Sequence, residues 1–563
     1  MNETVILIGC AEELMQLKTA PRGNYRLTAD IDLQGSSWEP VDFSGVLDGD
    51  GNSISNFRIV GGERLGFFGI LGENAVVSRL TLKKFSIMAD ENTIAAGGLA
   101  AINRGRIESC TLGSDAPYVP TPRGNRNALT GWCDDSRVYI KKAYTMAGSV
   151  VGENTGIIKD AVSYLQLLSG KQGLCGKNSG EAEGLYRDVS HRTELLPESA
   201  IAMRKEIVSH MERQGNFTWI PSKDMTFTSA YSGSVKVYEK DQLHYGLPYT
   251  QKNGCIERAQ YCMGADDYVA DWLPGYSDAA KESYGSPVPP WDVYLGNDCS
   301  GAVYWSWQRV CPSIEFGFTG DMVPTEENQR LYGILPLGNY KSETLLTDEV
   351  IKANTPEKIV DCYPLLRLGD AIVSRDPTYG HTRLVARDPM VMRRADGSID
   401  IDASYVPTHE HGVGKGSSGR LSTWQMDARY TFRDLLDTHY VPITNRDLVI
   451  GVAAPVELTV LNMDSPFSGK VISNYRIISS AVELEDKSSG KVYKSVEFTA
   501  LDKDRYKASP RQDGYARSTI RCVELKDHLE NLKDIPAGNY NCTVWVQLST
   551  GDRYVIQKGC CRK

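Results

Sequence analysis

The sequence predicts a β-rich chain of several domains: a stacked β-solenoid first, an α+β domain in the middle, and a β-sandwich last. Three observations predict this. Gly/Asn units recur through the first third, the clearest helical periodicity opens the middle, and polar–apolar alternation broken by turns fills the end. With 563 residues the chain is long enough to build several cores.

The first domain is expected over 1–190. "GGLAAINRG" (97–105) and "GSVVGENTG" (148–156) superpose without gaps, "LCGKNSG" (174–180) ends the same way, and "LGFFGILGENAVVSRLTL" (65–82) is a looser copy. Each copy is followed by a short β-like run. Short strands closed by Asn-x-Gly turns predict rungs that bury their faces on one another. The spacing of Asn74, Asn103, Asn154 and Asn178 is uneven, and 113–145 reads as a loop between rungs. Asp30 and Asp32 are read as turn residues capping backbone amides, with a calcium site as the competing reading. Together with "YRLTADIDLQGSSWEPV" and "FSGVLDGDGNSISNFRI", these units resemble the GLUG-repeat β-solenoids of bacterial surface proteins.

The middle domain is expected over 191–449. Ile201, Ile207, Val208 and Met211 fall at helical intervals after Glu198, which predicts a linking helix at its start. In "YLGNDCSGAVYWSWQRVC" (294–311), Gly296 to Asp298 form a turn, and Val303, Trp307 and Val310 lie on one helix face. Cys299 then sits in the first helical turn, where free N–H groups and the positive end of the helix dipole favour a thiolate. The competing reading is a packed thiol, one of thirteen cysteines. Downstream, "RLGDAIV" (367–373) and "GHTRLV" (380–385) read as two strands, with His381 at the start of the second. A cysteine at a helix start and a histidine on a following strand can form the pair of a cysteine hydrolase, in which the imidazole takes the thiol proton and later delivers it to the leaving group. If Ala395 and Ser398 flank a two-residue Asp396-Gly397 turn, His381 lies opposite Gly412 and its same-face diagonal neighbour is Glu410. A bulge near Pro389 would put His409 or His411 there instead.

The order "GLPYTQKNG" (246–254), "NDCSGAV" (297–303), "RLGDAIV", "GHTRLV" resembles the NlpC-type cell-wall cysteine peptidases, which have a papain-like fold; the related CHAP amidases share the plan. The resemblance implies Cys299 as nucleophile and His381 as base, Tyr249 beside the nucleophile, and Asp298 and Ser300 on the substrate side. The family's Gly-Gly after the Tyr motif is missing, and 255–297 and 312–360 read as insertions that narrow specificity.

Residues 450–563 alternate polar and apolar residues between turns, as in an antiparallel sandwich. "IPAGNYNCTVWVQL" (535–548) resembles the last strands of immunoglobulin-like modules of secreted proteins, with a binding or spacer role.

Composition bounds the partners. Apolar residues make up 41 % and charged residues 24 %, the net charge is −9, and no basic block occurs, which argues against nucleic acid. No apolar run reaches the length of a membrane span. The start "MNETVILIGCAEEL" lacks a basic leader, so either the protein is cytosolic or a signal peptide has been removed, and the expected location is extracellular or the cell surface. The cysteines show neither CxxC pairs nor zinc spacing, and "GVGKGSSG" (412–419) lacks phosphate-loop spacing. No cofactor and no metal is expected. The expected function is a secreted or surface hydrolase cleaving an amide bond in peptidoglycan stem peptides. The competing readings are a non-catalytic adhesin or glycan-binding protein on an inactive scaffold, and a transglutaminase-like acyl transferase.

Overall fold

Parallel strands stacked rung on rung build the first of two compact units, Met1–Leu195 together with Pro389–Tyr405. The structure is a computed structural model. It describes residues 4–114, 136–141, 145–168, 172–190, 196–216, 218–219, 225–228, 235–247, 249, 298–312, 314, 318–412, 421–461, 468–475, 477–498 and 522–562. The chain is β-rich, with several separate sheets.

The sequence repeat is the register of the stack. Ala100–Asn103 pairs in parallel with Val151–Asn154, which pairs with Cys175–Asn178, so Asn103, Asn154 and Asn178 lie over one another. Their side chains join head to tail: Asn103 Nδ2 donates to Asn154 Oδ1 at 2.8 Å, and Asn154 Nδ2 to Asn178 Oδ1 at 2.8 Å. A Cβ on Gly156 would lie 2.1 Å from Gly105 O, and one on Gly180 would lie 2.1 Å from Gly156 O. The glycine of each Asn-x-Gly is therefore required by the closeness of the neighbouring rung. The looser copy departs from the expected alignment: Leu71, not Asn74, lies against Asn103. Between rungs, Trp38 stacks on Phe67 at 4.5 Å and Phe57 on Phe85 at 4.9 Å, near the spacing of adjacent strands. Asp30 Oδ1 accepts from Ser53 N (2.7 Å) and Ser53 Oγ (2.8 Å), and Asp32 accepts from Gln34 N (2.7 Å) and Asn56 Nδ2 (2.8 Å). Both carboxylates thus serve turns and the next rung.

Glu181–Arg187 is followed in the sheet by an antiparallel strand, Met392–Arg394, and Asp188 binds Arg393 at 2.6 Å. Residues 389–405 thus belong to the first unit although they lie within the range expected for the middle domain. The expected loop at 113–145 falls largely on 115–135 and 142–144, and the expected insertion 255–297 falls wholly outside the described residues. So does "GVGKGSSG" beyond Gly412.

The second unit comprises Leu196–Asp388 and Val406–Lys563. Helix α1 (Glu198–Asn216) stands where the apolar spacing placed it and buries Met203, Ile207, Val208 and Met211. Helix α2 (Cys299–Gln308) differs from the expected amphipathic helix. All ten residues are buried, and it stops before Val310. A helix enclosed on every side is a central element, not a surface one. It packs on α1, whose His210 and Gln214 lie 3.4 and 3.1 Å from Ser306 Oγ.

Beside α2 runs a six-stranded sheet. Its strands are β1 (Ile334–Pro336), β2 (Ala371–Arg375), β3 (Gly380–Val385), β4 (Tyr405–His411), β5 (Trp424–Thr431) and β6 (Val441–Asn445). Their spatial order is β1-β6-β2-β3-β4-β5. The segment 312–360 is no simple insertion. It supplies the edge strand β1, paired with β6, and helices including Glu326–Tyr332 and Thr347–Asn354. After Val452 the chain forms two antiparallel sheets, one of three strands and one of four, which share a core of Val471, Val523, Leu484, Tyr540 and Val544. Among the described residues no helix is long and apolar enough to cross a membrane.

Candidate active site

Asp298 caps α2. Its Oδ1 accepts from Gly301 N at 2.8 Å and from Ser300 Oγ at 2.9 Å. Ala302 N takes Asp298 O at 2.9 Å, so the helical bonds begin after Cys299 and Ser300, whose N–H groups stand at the positive end of the helix. Asp298 and Ser300 are both buried, and their side chains are bonded to each other. Through these bonds the two side chains shape the turn that presents Cys299.

The other end of α2 is fixed by the Gly-Asp segment. Trp307 Nε1 donates to Gly369 O at 2.7 Å, and Gly369 has φ +83°. Asp370, fully buried, accepts from Arg204 Nη1 (2.8 Å), Thr444 Oγ1 (2.6 Å) and Arg367 N (2.8 Å). The Gly-Asp pair therefore ties α1, α2 and the sheet together.

β3 pairs antiparallel with β2, and Gly380 at its start lies close to Thr319: a Cβ there would be 2.0 Å from Thr319 Oγ1. Cys299 Sγ lies 4.0 Å from Gly380 O. The next residue, His381, is buried, and its Nε2 lies 2.7 Å from Glu410 Oε2. The pairing Leu384↔His409 and Val385↔Thr408 is the register that puts His381 opposite Gly412 and Glu410 on the diagonal. The route to that register differs from the expected one. Arg393 pairs with Ile399 and Arg394 N bonds Ser398 O, so the turn holds three residues, with Gly397 at φ +88°. Met390 pairs with Tyr405, displaced two residues the other way, and a further shift along the start of β4 restores the register by Thr408. His409 accepts from Asp427 N (3.1 Å) and faces Glu212 (3.5 Å), while His411 bonds Thr423 Oγ1 (2.9 Å) and stacks on Trp424 at 4.0 Å. Tyr249 is buried with its ring edge-on to His411 at 5.0 Å.

Electrostatics organise the group. Burial alone would depress the His381 imidazole, but Cys299 and then Glu410 outweigh it and raise it to about 9. Burial pushes Glu410 up, whereas His381 and Arg383 on one oxygen and Tyr430 on the other hold it down at about 2. With Nε2 turned to Glu410, Nδ1 is the ring nitrogen left for Cys299. Burial pushes the Cys110 thiol up to about 12 and raises that of Cys311 as well.

A cavity of about 680 Å³ opens on His381 and Glu410, lined also by Arg383, Tyr379, Tyr430 and Tyr440 among others. The sequence reading missed Arg383 and the tyrosines. Arg383 had a usable signal, since alternation along "GHTRLV" puts it on the face of His381. Tyr430 and Tyr440 had none. Among the described residues, no three His, Cys, Asp or Glu side chains are placed to hold a metal ion.

No family model and no solved structure matches the chain. Two proteins are similar over part of it. Halomucin of Haloquadratum walsbyi is 34 % identical over 112 residues, covering 16 % of this chain and 1 % of its own length. A Gly-rich membrane protein of Evansella cellulosilytica is 33 % identical over 93 residues, covering 15 % of this chain and 11 % of its own.

Proposed function

We propose that this chain is a surface or secreted cysteine hydrolase of the NlpC-type, papain-like plan, carried between a β-solenoid and an immunoglobulin-like sandwich. The observation that carries the reading is the file of Cys299, His381 and Glu410, with a cysteine at a helix N-terminus and a carboxylate fixing the far side of the imidazole. The in-register Asn-x-Gly rungs support the solenoid reading. The two sheets sharing one core support the sandwich. The partial similarity to halomucin and to a membrane protein supports a surface location.

In the proposed reaction Cys299 Sγ attacks the amide carbonyl carbon, and the oxyanion is held by N–H groups at the start of α2. The C–N bond breaks as His381 gives its proton to the leaving amine, leaving a thioester on Cys299. Water then attacks the thioester, His381 takes its proton, and the C–S bond breaks to release the acid. Glu410 keeps the imidazole oriented throughout. The substrates proposed are peptidoglycan stem peptides, with the flanking β modules holding the enzyme at a wall or glycan surface.

The test is incubation with muropeptides and detection of new amines by mass spectrometry. Products from the wild type that vanish in Cys299→Ala are expected. Equal product from both proteins overturns the mechanism, and no product from the wild type overturns the substrate.

A further inference from the structure

Among the described residues, Arg383 is the one cation besides His381 bonded to Glu410, and nothing in the motif order calls for it. Its side chain is 12 % exposed, and its guanidinium lies between two rings, 3.7 Å from the centroid of Tyr430 and 4.2 Å from that of Tyr440. Its Nε donates to Glu410 Oε2 at 2.7 Å, the same oxygen that His381 Nε2 engages at 2.7 Å. Its Nη1 is buried and has no hydrogen-bond partner among the described residues. Burying a guanidinium is costly, and the compensation here is one carboxylate and two π faces. Tyr430 also donates to Glu410 Oε1, so both carboxylate oxygens are held from β3 and β5.

We propose that Arg383 is a positioning residue of this site: it locks the Glu410 carboxylate against His381 and, by sharing one oxygen with the imidazole, restrains how strongly that carboxylate makes the imidazole basic. The inference rests on the hydrolase reading and goes beyond it. A carboxylate bound to the imidazole alone would hold the proton tightly and slow its delivery to a leaving group. A second cation on the same oxygen divides that pull. The charged and titratable groups around the pair are Cys299 on α2, Tyr379 and Asp376 before β3, Arg375 on β2, His411 beside Glu410, Tyr430 on β5, Tyr440 before β6, and Asp348 and His439 in the cavity wall. Among them Arg383 is the only cation bonded to Glu410 besides His381 in the described structure.

The test uses the full chain with carbon-13-labelled histidine, His381 being assigned by the peak lost in His381→Gln. Two quantities are read: the midpoint of His381 titration, and the rate of Cys299 alkylation by iodoacetamide at neutral pH. Arg383→Gln removes the charge and is expected to raise the midpoint by about 0.5–1.5 pH units. Arg383→Lys keeps a cation but loses the planar fork, and is expected to slow alkylation about tenfold while moving the midpoint by less than half as much. Thermal melting reports whether each variant folds. A wild-type midpoint in a folded Arg383→Gln protein overturns the proposal. If that variant does not fold, Arg383→Lys decides, and wild-type alkylation there overturns it. Neither readout uses muropeptides, so failure to cleave them while these shifts appear removes the hydrolase substrate alone. Cleavage that depends on Cys299 without these shifts removes the role of Arg383 alone.

Discussion

Asn154 and Glu410 are both buried side chains with several hydrogen-bonding partners, and they acquire them in opposite ways. Asn154 sits between copies of itself: Asn103 donates to it, and it donates to Asn178 and to Glu181 O. Glu410 is held by three unlike groups, His381, Arg383 and Tyr430. The ladder satisfies a polar atom by repetition, with every member neutral. The site satisfies a charge by convergence and leaves it coupled to a titrating imidazole. Repetition yields a support that pH does not touch, and convergence yields a group that can pass a proton.

The largest effect expected in this comparison is on the convergent side. Cys299→Ala should lower the rate of amide cleavage by at least about 10⁴-fold with the melting temperature nearly unchanged, because removal of a nucleophile leaves only binding and oxyanion stabilisation. Turnover by the variant within tenfold of the wild type would exclude Cys299 as the nucleophile. Next, Asp370→Ala should cost about 3–5 kcal/mol by leaving the Arg204 guanidinium buried without its carboxylate. Chemical denaturation measures it, and a loss below about 1 kcal/mol would show that the Gly-Asp segment does not tie the helices to the sheet.

On the repetitive side, Asn154→Leu should cost about 2–3 kcal/mol, since it strips partners from Asn103, Asn178 and Glu181 together. Hydrogen exchange should rise in peptides covering 100–181 and stay unchanged around Cys299. Equal loosening in both places would break the contrast drawn here.

The remaining contrast is in pH. His381 is raised from its ordinary 6.5 to about 9, so its contribution to stability is complete below 6.5 and is lost as pH rises through about 9. Glu410, held at about 2, acts in the opposite sense: its contribution is present above 4.5 and is lost as pH falls toward 2. Between pH 6.5 and 9, exchange protection around β3 and β4 should therefore fall, and His381→Gln should flatten the change. The Asn ladder, which has no titrating member, should keep its protection across that interval.

Much of the candidate site was legible because its signals are local. Gly296 to Asp298 read as the turn into the helix of Cys299, Gly380-His381 as the start of a strand, and strand alternation brings Glu410 to the imidazole. That last inference reached the observed register through successive shifts of pairing that offset one another, which no propensity encodes. The gapless alignment of 97–105 with 148–156 was already the pairing of the two rungs.

The sequence by itself determined the periodic parts: the Asn-x-Gly stack, helix α1, the helix start at Cys299 and the strands around His381. Each depends on residues a few positions apart, or on a repeat that carries its own register. Only the tertiary structure decided that β1 joins the sheet edge, that 389–405 belong to the first unit, that Arg204 meets Asp370, and that Arg383 lies between Tyr430 and Tyr440. Those contacts join segments brought together by burial. The energy that selects them is the desolvation of a charge or a ring, which becomes a cost only once the chain has closed around it.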